Sequence, residues 1–349
     1  MLDGKHSLRA ALLLSLLGVV PLFAADEQES LWGFADPSAD LCVYINTKQA
    51  EKAMEKNLWD RIRQDKDRAL DERKERGGGL FNTKDRDLEL MGNVHIVSME
   101  PFCGTVDGVA NISGDMMGDI DKMMEQLKDN KTLSLSPQMS KQDNLDFYTL
   151  ALSGADNVSG VDFMMVPVKP NQIQFRVNIN TQDAVQKQVL STYSEPSPLI
   201  KKLSGQELAF ACILSPEKLA MLSTDITENV ERFAEFLKQL DEIAISAHVS
   251  GTQMMLGGIF AFKSETSASA FVALAEPFLT EVKPAIAGNN TPPRIDATGK
   301  DVSITIPVNI SDAWDLISNM TADPVLDENV EAGLRKVALP KSDSDGAEE

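Results

Sequence analysis

Val177-Asn178-Ile179-Asn180-Thr181-Gln182-Asp183-Ala184 returns near the other end of the chain as Val308-Asn309-Ile310-Ser311-Asp312-Ala313. Each stretch closes a run that alternates as a strand does and opens a helical pattern, with a hydroxyl residue at the junction. Gln172 to Asn180 leads through Thr181 into Ala184, Val185 and Val189, and Val302 to Ile310 leads through Ser311 into Ala313, Trp314 and Ile317. A Ser or Thr oxygen there accepts from an amide of the first helical turn, which has no partner within its own helix. Two more junctions have this form. Leu41 to Asn46 leads through Thr47 into Ala50, Met54, Leu58 and Ile62, and Leu208 to Leu214 leads through Ser215 into Pro216, Leu219 and Leu222. Pro216 suits the first helical position, where no amide hydrogen is needed.

Hairpin-like pairs of strands precede two further helices. Asn93 to Met99 and Thr105 to Ile112 are followed by Ile120, Met123, Met124 and Leu127 at helical spacing; Ile243 to Val249 and Gln253 to Phe262 are followed by Phe271, Leu274, Ala275, Phe278 and Val282. The order of elements from Leu41 to Tyr193 nearly repeats from Glu207 to Met320. The pattern predicts an α+β fold of two diverged copies, each an antiparallel sheet with helices packed on one face. The first copy spans residues 38–193 and the second 207–320, with a linker at 194–206 marked by Ser194-Glu195-Pro196-Ser197-Pro198. The two sheets either stay separate or join.

Outside these copies the sequence reads as an address and a tail. Lys5 and Arg9 precede the apolar run Ala10 to Phe23, and Ala24-Ala25 stand before Asp26-Glu27, so residues 1–25 read as a cleaved signal peptide and the chain as exported to the periplasm, cell envelope or extracellular space. No later run approaches the ~20 apolar residues of a membrane span, so none is expected in the mature chain. Residues 321–349 are acidic and polar and read as a disordered tail. Asp60 to Arg76 carries seven basic and six acidic residues before Gly77-Gly78-Gly79, the pattern of a solvated helix stopped by glycine. The 349 residues are 43% hydrophobic and only 6% aromatic, with a net charge of −20. A nucleic-acid partner, which demands basic surface, is therefore not expected.

No motif assigns a reaction. His6 leaves with the signal peptide, so histidine chemistry falls to His95 and His248, which occupy the same place in the two hairpins; neither has a G-x-S-x-G elbow or HExxH partner, and both read as residues on the polar face of a strand. Cys42, Cys103 and Cys212 are odd in number and lack a CxxC, so they read as reduced, with Cys103 the most exposed. Asp115, Asp119 and Asp121 open a helix, where carboxylates oppose its dipole, and do not follow the calcium-loop spacing. Gly257-Gly258 lies inside a strand and suggests a bulge. The doublets Met116-Met117, Met123-Met124, Met164-Met165 and Met254-Met255 fit core packing, an apolar groove, or soft ligation of copper. The sequons at Asn111, Asn130, Asn157, Asn309 and Asn319 carry no assigned role.

The opening Ala39-Asp40-Leu41-Cys42-Val43-Tyr44-Ile45-Asn46, the hairpin–helix units and the closing Asp301-Val302-Ser303-Ile304-Thr305-Ile306-Pro307-Val308 resemble a loose group of uncharacterised secreted bacterial proteins with tandem α+β repeats. That resemblance covers residues 38–320 in layout, implies an envelope or extracellular location, and transfers no catalytic residue. Catalytic residues are left unknown, and no cofactor or metal is expected. The sequence supports an exported, non-enzymatic binding or scaffolding protein whose partner is an unknown protein or an apolar ligand held on a sheet face between the copies. Its alternatives are a hydrolase with a carboxylate/His site and methionine-based copper or metal handling.

Overall fold

A computed structural model describes residues 31–75, 87–99, 102–114, 118, 120–122, 124–125, 135–152, 161–181, 186–218, 237–286 and 292–311. The chain divides into two units. Leu22–Ile310 holds the sheet, and of the unit formed by Met1–Pro21 and Ser311–Glu349 only Ser311 is described. The signal-peptide reading, the acidic tail and Gly77-Gly78-Gly79 all lie outside the described residues.

Among the described residues twelve strands form one antiparallel sheet: β1 (Leu41–Asn46), β2 (Leu88–Met99), β3 (Phe102–Ile112), β4 (Leu135–Gln142), β5 (Leu145–Leu152), β6 (Val161–Lys169), β7 (Gln172–Ile179), β8 (Phe210–Leu214), β9 (Leu240–Ser250), β10 (Gln253–Phe262), β11 (Arg294–Thr298) and β12 (Asp301–Asn309). Their spatial order is β11-β12-β10-β9-β8-β1-β2-β3-β7-β6-β5-β4. The sheet is therefore continuous, joined where β1 pairs with β8 and Val43 lies opposite Cys212. Outward from that junction the order is β1-β2-β3-β7-β6 on one side and β8-β9-β10-β12-β11 on the other, and the hairpin β5–β4 then extends the first group alone.

Lines of directly opposed residues cross both groups. One line of directly opposed residues crosses the first group as Tyr44–Met91–Val109–Gln174–Val166 and the second as Ile213–Ala244–Ile259–Ser303–Asp296. The neighbouring line on the same face reads Cys42–Asn93–Asp107–Arg176–Met164 and Ala211–Ser246–Gly257–Thr305–Arg294. Because side chains alternate along each strand, each line also fixes which residues share a face.

Among the described residues four helices flank the sheet: α1 (Thr47–Ala53), α2 (Lys56–Glu75), α3 (Pro198–Ser204) and α4 (Glu265–Ile286). Leu58 of α2, with Ala53 and Ile62, packs against Val249, Met254 and Ile310, and α4 places Ala268, Phe271 and Val272 on Ile243, Phe262 and Val302. These contacts lie on one face. The expectation of helices on one face only is corrected by α3, which packs on the other. Ser197 caps α3 by accepting from the Ile200 amide, and Pro198 occupies its first turn. Leu199, Ile200 and Leu203 then join Leu31 and Trp32 of a 3-10 turn (Leu31–Phe34) over Tyr44, Met91, Val109, Ala211, Ala244 and Ile259. Residues 198–204, inside the span read as a linker, are thus part of the central core.

Three local expectations change. Asn46, not Thr47, caps α1 by accepting from the Gln49 amide, while Thr47 Oγ1 accepts from the Leu88 amide at 3.1 Å. The apolar series from Ala50 to Ile62 is broken at Met54, where extended backbone separates α1 from α2 and bridges to Gly251. Residues 186–190, which contain Val189 of a predicted helix, carry no helix; residues 182–185 lie outside the described residues.

Candidate functional site

The second line of opposed residues builds the most polar part of the interior. Asn93, Asp107 and Arg176 point to the same face from β2, β3 and β7, and each strand has apolar neighbours that hold it in the sheet. Asn93 Nδ2 donates to Asp107 Oδ1 and to the Phe34 carbonyl, both at 3.0 Å, and its Oδ1 accepts from the Asp36 amide at 2.9 Å. Arg176 lies 3.7 Å from the other oxygen of Asp107. Asn93, Asp107 and Asp36 are all buried. Burial makes such groups costly unless their bonding capacity is used, and here the turn after Phe34 uses it.

Asp36 is the centre of the site. Its Oδ1 accepts from the Ser38 amide and hydroxyl at 2.8 and 2.7 Å, and its Oδ2 accepts from the Tyr193 hydroxyl at 2.6 Å. His95 Nε2 stands 3.4 Å from the same Oδ2. Burial alone would raise the Asp36 carboxyl, but the bonds from Tyr193 and Ser38 and the nearby His95 outweigh it and hold the group below its ordinary value. The Tyr193 hydroxyl moves the other way, pushed up by burial and by its bond to the carboxylate. Cys42 Sγ donates to the Asp36 carbonyl at 3.3 Å, and burial together with the Asp36 charge pushes this thiol up to about 12. A raised phenol and a raised thiol are poor nucleophiles at neutral pH.

A second polar line lies on the same face, on the other side of Met91 and Val109. Tyr44, stacked on Trp32 with ring centroids 4.6 Å apart, donates to Glu89 Oε1 at 2.9 Å. Asn111 Nδ2 donates to Glu89 Oε2, and Gln172 Nε2 donates to Asn111 Oδ1 at 2.8 Å. In the second strand group the line Glu89–Asn111–Gln172 becomes Glu242–Ala261–Asp301. Ala261 cannot bridge the flanking carboxylates, and a hollow of about 220 Å³ opens there, lined by Leu199, Lys202, Glu242, Ala261, Phe262 and Asp301. Lys202 of α3 reaches Asp301 at 3.5 Å across it.

The residues singled out from sequence are scattered by the fold. His95 reaches Asp36, whereas exposed His248 bonds through Nδ1 to the Glu207 carbonyl at 2.8 Å. Asp121 accepts from Tyr148, and Asp115 and Asp119 lie outside the described residues. Met164 and Met165 are buried on opposite faces of β6, and Met254 packs under α2 in the other group. The sequon residue Asn111 is fully buried and bonded. Gly257-Gly258 marks no bulge, since the register runs unbroken through it; a Cβ on Gly257 would lie 2.7 Å from Ser246 Oγ, so a side chain there requires that hydroxyl to move. Where the two strand groups meet, β1 pairs directly with β8, and on one face of that junction the central core fills the space beneath α3 and the 3-10 turn, while on the other face Ile245, opposite Cys212, is exposed.

No protein-family model and no curated protein matches this chain. Among solved structures, TP0453 in crystal form I aligns with 10% identity and a TM-score of 0.44 over 84% of this chain and 98% of that one. Crystal form III of TP0453 gives 9% identity and 0.46 over 84% and 99%, and form IV gives 10% and 0.43 over 84% and 97%. A likeness at that level carries no functional information.

Asp36, Asn93, Asp107, Arg176 and Tyr193 were missed as a group from sequence. Period-two spacing could have found part of it, because Asn93 with His95, Asp107 with Asn111, and Arg176 with Asn178 each put two polar residues on one face of a strand. Asp36 and Tyr193 lie in segments without periodicity and carry no such signal.

Proposed function

We propose that this chain is an exported, non-enzymatic binding or scaffolding protein of the periplasm or cell envelope, built from two diverged copies of one α+β unit. The order of strands carries the reading of two copies, since β1-β2-β3-β7-β6 and β8-β9-β10-β12-β11 run outward from their junction in the same sequence of connections while their side chains differ. The chemistry of the Asp36 cluster supports a non-enzymatic role. Its carboxylate, amide and phenol groups are engaged in holding the 3-10 turn and the segment around Tyr193, and the line Asn93–Asp107–Arg176 is Ser246–Gly257–Thr305 in the second copy. The partner would be a protein segment or an apolar ligand.

One observation favours the hydrolase reading: His95 lies within 3.4 Å of a carboxylate. Against it, Asp36 already accepts three stronger bonds, and Thr105, opposite His95, donates its hydroxyl to Asn178 at 3.3 Å. Native mass spectrometry of the mature chain purified from its own envelope separates the two. Mass that is lost on denaturation is the expected result and identifies the partner. A bare monomer that turns over ester or glycoside substrates, with turnover abolished by His95→Ala, would replace the binding reading with the enzymatic one.

A further inference from the structure

Between β7 and α3, residues 186–197 cross the first strand group as a strap without regular structure. Val189 packs over Phe147, Met164 and Val166, which are almost completely buried beneath it. The next residue, Leu190, gives both of its backbone groups to one side chain: its amide donates to Gln174 Oε1 at 2.6 Å, and its carbonyl accepts from Gln174 Nε2 at 3.2 Å. Three residues on, the Tyr193 amide donates to the Gly33 carbonyl at 2.8 Å and its hydroxyl to Asp36.

This is the layout of a bound peptide. A primary amide that offers one acceptor and one donor to the same residue does what a neighbouring strand does. An apolar pocket takes the preceding side chain, and a buried carboxylate takes a phenol four residues beyond it. Among the described residues the strap has no strand partner; besides the points above, Leu190 packs against the central core and Lys187 Nζ donates to Ser140 Oγ at 2.9 Å, whereas β6 and β7 beneath it are paired along their lengths. Segments held in this way open with a lower free energy than the strands they cover.

We propose that the strap is a cover that opens independently of the sheet, and that it occupies in cis a groove suited to an extended peptide segment with an aliphatic residue at the Val189 position and a tyrosine four residues later. The opening stands by itself; the peptide site rests on the binding reading above.

Hydrogen exchange of the full mature chain and of Tyr193→Phe tests the opening, and a labelled peptide copying Lys187–Ser194 tests the site. The Leu190 and Tyr193 amides are expected to exchange at least about tenfold faster than those of Phe175 and Val177, with about a further tenfold on loss of the phenol, the factor that ~1.4 kcal/mol represents. The peptide is expected to bind, more tightly to Tyr193→Phe than to the parent chain, and a peptide with aspartate in place of its valine is expected not to bind. Strap amides that exchange at the β7 rate in the parent chain overturn the opening. Fast exchange without peptide binding overturns the site, and leaves the binding reading to stand or fall on the native mass measurement. Should Tyr193→Phe fold poorly, the exchange rates and peptide affinity of the parent chain decide both points.

Discussion

The two strand groups meet at β1–β8 and match in strand order, yet one has the bonded polar line Asn93–Asp107–Arg176 and the other has small residues at the places set against it. Asn93, Asp107 and Arg176 bond to one another and to the turn after Phe34, while Ser246, Gly257 and Thr305 at the matching places are small. The difference follows from what lies above each line. In the first group the 3-10 turn and the strap end their backbone groups over the sheet, and side chains must satisfy them. In the second group the covering helix α3 has its Ile200 amide met by the Ser197 side chain of its own cap and not by a side chain of the sheet. Polarity here follows the cover and not the strand pattern.

The largest effect expected from this contrast is on stability. Asn93→Ala leaves the Asp36 amide, the Phe34 carbonyl and one Asp107 oxygen without that partner in a buried place, and is expected to cost about 3 kcal/mol in urea unfolding. Ser246→Ala, the matching change, is expected to cost under about 1 kcal/mol. Equal costs would break the comparison. Gly257→Ala sharpens it further: the added Cβ meets Ser246 Oγ, so the substitution is expected to cost about 1–2 kcal/mol alone and less in the Ser246→Ala background, a coupling that a double-mutant cycle measures.

Acid gives a smaller effect confined to the first group. Because the folded Asp36 carboxyl lies below its ordinary value of 3.8, its contribution is fully present above that value and is lost as pH falls through the lower folded one. The stability gap between the parent chain and Asp36→Asn is therefore expected to be level above about pH 5 and to shrink in more acidic solution. A gap that closes near pH 7 would assign the linkage to another group. Smallest of all, exchanging exposed His248 for glutamine, which retains a donor for the Glu207 carbonyl, is expected to change stability by under about 0.5 kcal/mol.

Much of this fold was legible in the strand–helix junctions, because strand alternation and helical spacing are local. The repeated stretch aligned Val177 with Val308, whereas the lines of opposed residues place Val177, across from Val106, with Ile306, across from Leu256. The two-residue offset preserves the face and changes the height, which period-two patterning cannot detect. Thr47 was read as a cap because hydroxyls favour that role, but the buried Leu88 amide engages its oxygen and Asn46 caps instead. The joining of the sheets was not legible, since a strand such as Leu41–Asn46 reads alike whether its far edge is free or paired. The Asp36 cluster was legible only in its strand residues, because the turn and strap that bring in Asp36 and Tyr193 are placed by tertiary packing.

The junction of β1 with β8 is the most direct point to test. Val43 stands opposite Cys212, while Cys42 points to the other face of the sheet, so Val43→Cys in a Cys103→Ser background gives a single cross-strand pair within reach of a disulfide. The account predicts near-complete intramolecular cross-linking of the introduced thiol to Cys212 under mild oxidation, seen by peptide mapping, with the fold retained. A folded monomer in which this bond does not form would contradict one continuous sheet.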